Sequence, residues 1–338
     1  MRKKTVLTGI KPTGIPHIGN YVGAIKPALA FLENDEFERM FFIADYHAIT
    51  AINDRKLFND LCYEIAATWL ACGLDPEKVL FYRQSDIPET FELSWLLSCL
   101  TAKGLMNRAH AYKASVDKNR ENNAGDLDAG INMGLYNYPI LMAADILIFH
   151  TDIVPVGSDQ VQHVEIARDL AQRFNHIYGK TYKLTLPRHM IQEESMCIPG
   201  LDGRKMSKSY GNVIPLFDTQ KKLRKAVFRI KTDSTPPDAP KDPAKSDLFD
   251  IYCAFATPEQ IESMKTQYAE GISWADAKQQ LFDILDDLLA EPREKYFELM
   301  SDKKGIDDLL LAGAAKARPK AQELIRGVRD AIGQGWIK

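Results

Sequence analysis

Short apolar runs alternate with helical periodicities through the first half of this chain, and that alternation most constrains its fold. Thr5-Val6-Leu7-Thr8-Gly9 is β-rich, and Met40-Phe41-Phe42-Ile43-Ala44 is a continuous apolar run. Val79-Leu80-Phe81-Tyr82 and Ile146-Leu147-Ile148-Phe149 are two more. Such runs fit strands buried on both faces. Between them Leu57, Leu61, Ile65 and Trp69 recur every four residues, with Asp54 placed to cap and Gly73 to stop a helix. A second helix is expected from Ser158 to Phe174, with Val161, Val164, Ala167, Ala171 and Phe174 on one face. The alternation implies an α/β, doubly wound parallel sheet of Rossmann-like type. Ligands on such sheets sit at the carboxyl ends of strands near a topological switch point. Segments 9–20, 45–50 and 154–160 all follow expected strands and can converge there.

The remainder reads differently. Residues 109–131 are polar and weakly periodic, as expected of a surface insertion or loop. Pro27 interrupts the helical pattern from Tyr21 to Leu32 and should kink it or remove a backbone bond. Pro236, Pro237, Pro240 and Pro243 exclude regular structure between Ser234 and Asp247. Beyond Ser209 only helices are expected, over 218–230, 247–256, 258–268, 273–290, 292–301 and 313–332. With 338 residues, two domains are expected, 1–204 and an all-α 205–338. No apolar run approaches the roughly 20 residues of a membrane helix. The basic start Met1-Arg2-Lys3-Lys4 leads into an apolar stretch broken at Thr8-Gly9, so no signal peptide is expected and cytoplasm is the default. Five cysteines without a C-x-x-C argue against a disulfide scaffold or zinc knuckle, and Cys62 and Cys72 read as buried thiols.

Two motifs carry chemistry. Pro12-Thr13-Gly14-Ile15-Pro16-His17-Ile18-Gly19-Asn20 joins the first strand to the first helical stretch. A helix N-terminus there presents unpaired N–H groups to an anion. Taken alone, it is also a plain tight turn. Lys205-Met206-Ser207-Lys208-Ser209 sets two ammonium groups three residues apart among hydroxyls, flanked by Gly200, Gly203 and Gly211. Two flexible point charges suit a polyphosphate whose charge grows during reaction. Taken alone, it is also a solvated basic loop.

Together the motifs resemble a known pair. His17-Ile18-Gly19-Asn20 is similar to the HIGH motif of class I aminoacyl-tRNA synthetases, and Lys205 to Ser209 reproduces their KMSKS motif. Tyr138-Pro139-Ile140-Leu141-Met142-Ala143-Ala144-Asp145-Ile146-Leu147, Asp152 to Gln160 and Asp45-Tyr46-His47-Ala48-Ile49-Thr50 resemble segments of the bacterial-type tryptophanyl-tRNA synthetases. The resemblance spans nearly the whole chain. It implies a HUP-type Rossmann-like catalytic domain, ATP and tryptophan as substrates, and Mg²⁺ carried with ATP. It also implies tRNA(Trp) read by the C-terminal helices, a homodimer and no membrane contact.

It further implies roles residue by residue. Lys205, Lys208 and His17 are the expected catalytic residues. Lys11, Pro12, Thr13, Gly19, Asn20, Gly157, Ser158, Asp159, Ile198, Met206, Ser207 and Ser209 join the two lysines around ATP. Asp145, Met142, Tyr138, His47, Val154, Val156, Gln160 and Gly9 are expected around tryptophan. Asp145 is the specificity residue: a carboxylate among apolar neighbours needs a partner, and an indole N–H is a donor only. Read from spacing, a helix cap or ion pair is an equal account of it. His47 is given no acid–base role. Position 11 is lysine where many members carry glutamine; the added cation suits phosphate and repels an amine, so it is read on the nucleotide side. No metal ligand set is expected, since His110, His150, His163, His176 and His189 lack ligand spacing. Lys221, Lys222, Arg224, Lys225, Arg229 and Lys231 form one basic cluster, and Lys316, Arg318, Lys320, Arg326 and Arg329 a second; each fits RNA phosphates or a solvated helix face. A tyrosyl-type synthetase, a non-catalytic RNA-binding paralogue and another HIGH-type nucleotidyltransferase are the competing readings.

Overall fold

Alternate residues of one strand feed two apolar layers, and the rest of the architecture follows from that. In the strand Phe37–Ile43, Phe41 and Ile43 enter one cluster while Met40 and Phe42 enter the other. The computed structural model describes residues 2–191 and 198–334, so Cys197 lies outside the described residues. Its five strands are β1 (Lys4–Ile10), β2 (Phe37–Ile43), β3 (Leu80–Arg83), β4 (Ile153–Val156) and β5 (Arg188–Ile191). They pair in parallel in the order β3-β2-β1-β4-β5. The chain runs outward from β1 to β3 and then crosses to β4. The switch point therefore lies between the carboxyl ends of β1 and β4.

Several expected elements move. Residues 146–149 are not a strand; they close the helix Met133–Leu147 and turn. A short apolar run does not distinguish a buried helix from a buried strand, and Ile146 to Phe149 are all buried here. The strand of that unit is β4, a few residues later. Part of the expected insertion 109–131 is a helix, His110–Glu121, with no buried residue and hence no apolar stripe to reveal it. The segment around Pro27 is composite: a π turn Tyr21–Ile25 leads into the helix Lys26–Leu29. Lys26 N–H reaches back five residues to Tyr21 O, and Pro27 follows where no donor is required. The helix Arg55–Ala71 is as expected, with Asp54 capping Leu57 N–H at 2.7 Å and Gly73 at φ 107° behind it. Burial pushes the Cys62 and Cys72 thiols up to about 12.

The C-terminal part is helical, but its last two helices run longer than expected, Trp274–Ser301 through Pro292 and Lys303–Ile332 through Pro319. In the proline-rich segment, Lys241 is buried and donates to the carbonyls of Pro236 (2.9 Å), Pro237 (3.3 Å) and Ala239 (3.0 Å). Ile198, Leu201 and Met206 share one apolar cluster with Phe41 of the sheet and with Leu223, Leu281 and Leu285. The boundary expected at 204/205 thus crosses a continuous core. The final helix returns to the sheet: Ala314, Ala317, Ala321 and Leu324 pack into the second cluster. Ion pairs Arg83–Asp307 (2.7 Å), Arg318–Glu89 (2.8 Å), Lys320–Glu38 (2.9 Å) and Arg329–Glu92 pin it. Three cations of the second basic cluster are therefore engaged by carboxylates.

Gly313 marks the closest approach. A Cβ there would lie 1.9 Å from the carbonyl oxygen of Phe81 in β3. Gly313→Val is expected to cost about 3 kcal/mol or more of stability. The denaturant midpoint measures it; an unchanged midpoint would mean that the helix does not seat on β3.

Candidate active site

The carboxyl ends of β1, β2 and β4 surround a cavity of about 560 Å³, at the switch point. Gly9, Lys11, His47, Tyr138, Met142, Asp145, Val154, Val156, Gly157 and Gln160 all line it. Ten expected residues are thus brought together. Gly9 is required by space, because a Cβ would fall 2.5 Å from the Phe42 ring. Gly23 and Ala24 of the π turn add to the wall.

Asp145 is 4% exposed on the helix Met133–Leu147. His47 Nε2 lies 3.0 Å from its Oδ2, and the Gln84 amide nitrogen donates to both oxygens at 2.9 Å. His47 follows β2 and Gln84 follows β3, so the sheet itself converges on the acid. Burial raises the Asp145 pKa, and the bonds from His47 and Gln84 pull it back. A carboxylate offers about four acceptor sites and these contacts fill three, leaving room for one more donor. Gln84 was not legible in advance; its only sign is a polar residue directly after an apolar strand. The Lys11 ammonium donates to Thr50 Oγ1 at 3.1 Å, and burial lowers its pKa. The Tyr138 hydroxyl meets His163 Nε2, a buried partner that the sequence marks only as a histidine without metal-ligand spacing.

The two motifs meet beside this cavity. His17 is buried and caps the turn Ile18–Asn20, its Nδ1 accepting from Asn20 N–H at 3.3 Å while Asn20 Oδ1 accepts from His17 N–H at 3.1 Å. The extended segment after the lysine loop clamps the turn through an isolated antiparallel bridge: Ile18 N–H donates to Ile214 O, and Leu216 N–H to Pro16 O, both at 3.0 Å. Gly14, at φ 134°, gives space to Lys208; a Cβ there would stand 2.9 Å from the Lys208 Cδ. Burial, then the Lys208 charge, lowers the His17 pKa to about 4, so the ring is neutral near pH 7. Burial also lowers Lys208, with Glu64 opposing. Ile198 is buried 3.5 Å from the Cβ position of Gly19. Pro12 is buried; Thr13, Gly157, Ser158 and Asp159 are exposed at the rim.

The loop 205–209 is held at both levels. Met206 is 5% exposed and plugs the core, while Ser207 and Ser209 hydroxyls bond at 2.8 Å. Asn212, 3% exposed, organises the loop. Its Oδ1 accepts from Ser207 N–H at 2.8 Å and its Nδ2 donates to Asp202 (2.6 Å) and to Lys205 O (3.2 Å). Lys205 itself is exposed, so of the two lysines only Lys208 lies against the 12–20 turn. Asn212, three residues past the motif, was missed because nothing local distinguishes it from a surface asparagine.

Residues 1–290 match the family described as tRNA synthetases class I (W and Y). The chain belongs to this family. The tryptophan–tRNA ligase of Neisseria meningitidis is 54% identical over 333 residues, covering 98% of each chain. That of Pseudomonas putida is 54% identical over 329 residues, covering 97% of this chain and 73% of its own length. A crystal structure of tryptophanyl-tRNA synthetase from Campylobacter jejuni, complexed with ADP and tryptophan, superposes with a TM-score of 0.89 at 41% identity, covering 97% of this chain and 99% of that one. The resemblance read from the motifs to the bacterial tryptophanyl-tRNA synthetases therefore holds across the chain.

Gln84→Met removes two N–H donors from a buried carboxylate, a loss of about 1.5–3 kcal/mol when the acid is charged. The sign with pH follows from the raised Asp145 pKa. The penalty on the charged form is complete above the folded-state value, fades as pH falls through it and is gone below the unfolded value of about 4. Urea unfolding should give a larger loss at pH 7 than at pH 4; an equal loss at both would exclude the charged acid as its origin.

Proposed function

We propose that the chain is a tryptophan–tRNA ligase: it joins L-tryptophan to ATP, releasing pyrophosphate, and passes the aminoacyl group to the 3′ end of tRNA(Trp). The observation that carries this reading is the spare acceptor site of Asp145 in a cavity that Met142, Val154 and Val156 also line. Indole offers one N–H and a flat apolar face, so it satisfies the acid and fills the space between Met142, Val154 and Val156. A phenylalanine ring would leave the acid unpaired, and such sites reject the lacking analogue by roughly 10⁴–10⁵.

In the first step a tryptophan carboxylate oxygen attacks the α-phosphorus and the bond to the β-phosphate oxygen breaks. Such transfers need positioning and charge stabilisation more than covalent help. Lys208 faces the turn where the phosphates sit, and the neutral His17 ring can donate without adding charge. Lys205 and the Ser207 and Ser209 hydroxyls complete the shell around the departing pyrophosphate. Gly157, Ser158 and Asp159 bind the ribose, and Gly19 and Ile198 border the adenine. Lys11 serves the phosphate side. Mg²⁺ arrives on the ATP phosphates, consistent with a donor set of ammonium and hydroxyl groups rather than carboxylates. In the second step a ribose hydroxyl of the terminal tRNA nucleotide attacks the acyl carbon and AMP leaves.

The C-terminal helices are the anticodon-reading part of this proposal. Lys221, Lys222, Lys225 and Arg229 stand exposed on and just after the helix Gln220–Phe228, where a phosphate backbone can reach them. A homodimer belongs to it as well: Trp95 is 71% exposed, with Tyr46, Ile49 and Met133 also exposed nearby. Tyr46 packs against Phe91, one turn before Trp95, with ring centroids 4.4 Å apart and planes tilted by 43°. No helix among the described residues is long and apolar enough to cross a membrane, and cytoplasm, where tRNA and ATP meet, is the place of action.

ATP–pyrophosphate exchange tests the reading. Exchange should depend on tryptophan, and dependence on tyrosine instead would end it. Lys208→Ala should slow exchange by about 10²–10³ while tryptophan binding changes little, because the lysine acts on charge that develops late. Trp95→Arg should shift the mass measured by light scattering from dimer to monomer; a monomeric wild type would remove the dimer from the proposal.

A further inference from the structure

His163 sits on the helix Val161–Tyr178, outside every motif, and is 2% exposed. Its Nε2 meets the hydroxyl of Tyr138, which lines the cavity, and the ring centroids are 5.1 Å apart. Its Nδ1 is buried and has no hydrogen-bond partner among the described residues. A neutral imidazole carries one donor and one acceptor nitrogen, and which is which depends on the bond the other makes. With no partner at Nδ1, the bond to the Tyr138 hydroxyl is the one described hydrogen bond of the ring, and a ligand that meets the phenol selects the tautomer together with it.

Tyr138 has a single hydroxyl hydrogen. When that hydrogen goes to His163 Nε2, the phenol turns only lone pairs toward the cavity. An ammonium group is purely a donor and requires such an acceptor. In the opposite tautomer Nε2–H donates to the phenol, whose own hydrogen then points at the ligand and repels an ammonium. Burial lowers the His163 pKa, with His110, Asp159 and His47 as the charged or titratable groups facing it, so the ring is neutral and able to accept. The Gln160 amide nitrogen is already directed to Asp159 at 3.1 Å, which leaves its carbonyl as a second acceptor on the same side.

We propose that His163 is a positioning residue that holds the Tyr138 phenol as a hydrogen-bond acceptor for the α-ammonium of the amino-acid substrate. The inference rests on the reading of this cavity as a tryptophan site. It adds selection at the polar end of the ligand to the selection that Asp145 makes at the ring.

The test compares tryptophan with indolepropionate, which keeps the ring and carboxylate and lacks the amine. Binding of both is measured by calorimetry to the wild type, His163→Phe, His163→Gln and Tyr138→Phe. His163→Phe should weaken tryptophan by about tenfold to a hundredfold and indolepropionate by less than about threefold. His163→Gln, whose amide oxygen can stand in for Nε2, should recover most of the loss. Tyr138→Phe should give the same split, and adding His163→Phe to it should cost nothing more. Equal losses for both ligands, or an additive double variant, would overturn the inference and leave His163 a packing residue. Indolepropionate binding reports that each variant has folded. A wild type that binds neither ligand would overturn the tryptophan reading itself, and a wild type that binds both equally would overturn only the amine contact.

Discussion

A carboxylate taken out of water must be satisfied by protein, and this molecule spends two strand ends on satisfying one. Asp145 is placed by a helix, but its partners come from the loops after β2 and β3, and the cavity it borders is closed by β1 and β4. If the order of strands or their register changed, the acid would be buried with a free charge, at a cost of several kcal/mol. The sheet and the specificity site are in this sense one constraint. That also explains why Gly9 and Phe42 fit so closely: the floor of the cavity lies where two neighbouring strands end at the same level.

The loop bearing the two lysines meets a different requirement. It must present charge to a phosphate and still be located accurately. The structure divides these tasks among neighbours. Met206 anchors the loop in the core and Asn212 bonds its backbone, whereas Lys205 and Ser209 remain exposed and Lys208 reaches the 12–20 turn. The His17 turn is tied by backbone bonds to 214–216, immediately after the loop. Both motifs therefore share one frame, and a shift in either is felt by the other. The lowered pKa of His17 has the same origin: it is buried in that frame with a lysine as neighbour.

Much of this was legible in the residues. Apolar runs revealed β1, β2 and β3 because burial on both faces leaves no alternation to confuse them with amphipathic elements. Asp54 and Gly73 bounded their helix because caps act locally. The residues around the cavity were readable because their motifs are local too. What escaped depended on long-range contacts. Residues 146–149 looked like a strand because apolar composition is common to both kinds of buried element. The helix His110–Glu121 escaped because it buries nothing. Gln84, Asn212 and His163 escaped because each matters through a partner far off in sequence or through a backbone atom. The carboxylate partners of the second basic cluster escaped for the same reason: Glu89, Glu92 and Glu38 lie more than two hundred residues from the cations they engage.

The end of β3 joins the two halves of the molecule. Arg83 and Gln84 are adjacent and serve opposite sides. Arg83 bonds Asp307 of the last helix at 2.7 Å and Asp86 at 2.9 Å, while Gln84 holds Asp145. Tyr63 adds a second bond to Asp307 at 2.9 Å. Consecutive side chains at a strand end diverge to opposite faces, so one backbone segment fixes both the helix and the acid. The last helix is also seated directly on this strand, with Gly313 against Phe81. Displacing the helix would therefore load the strand that carries Gln84. The position of the helical layer and the hydrogen bonding of the buried acid are set by the same few ångströms of chain.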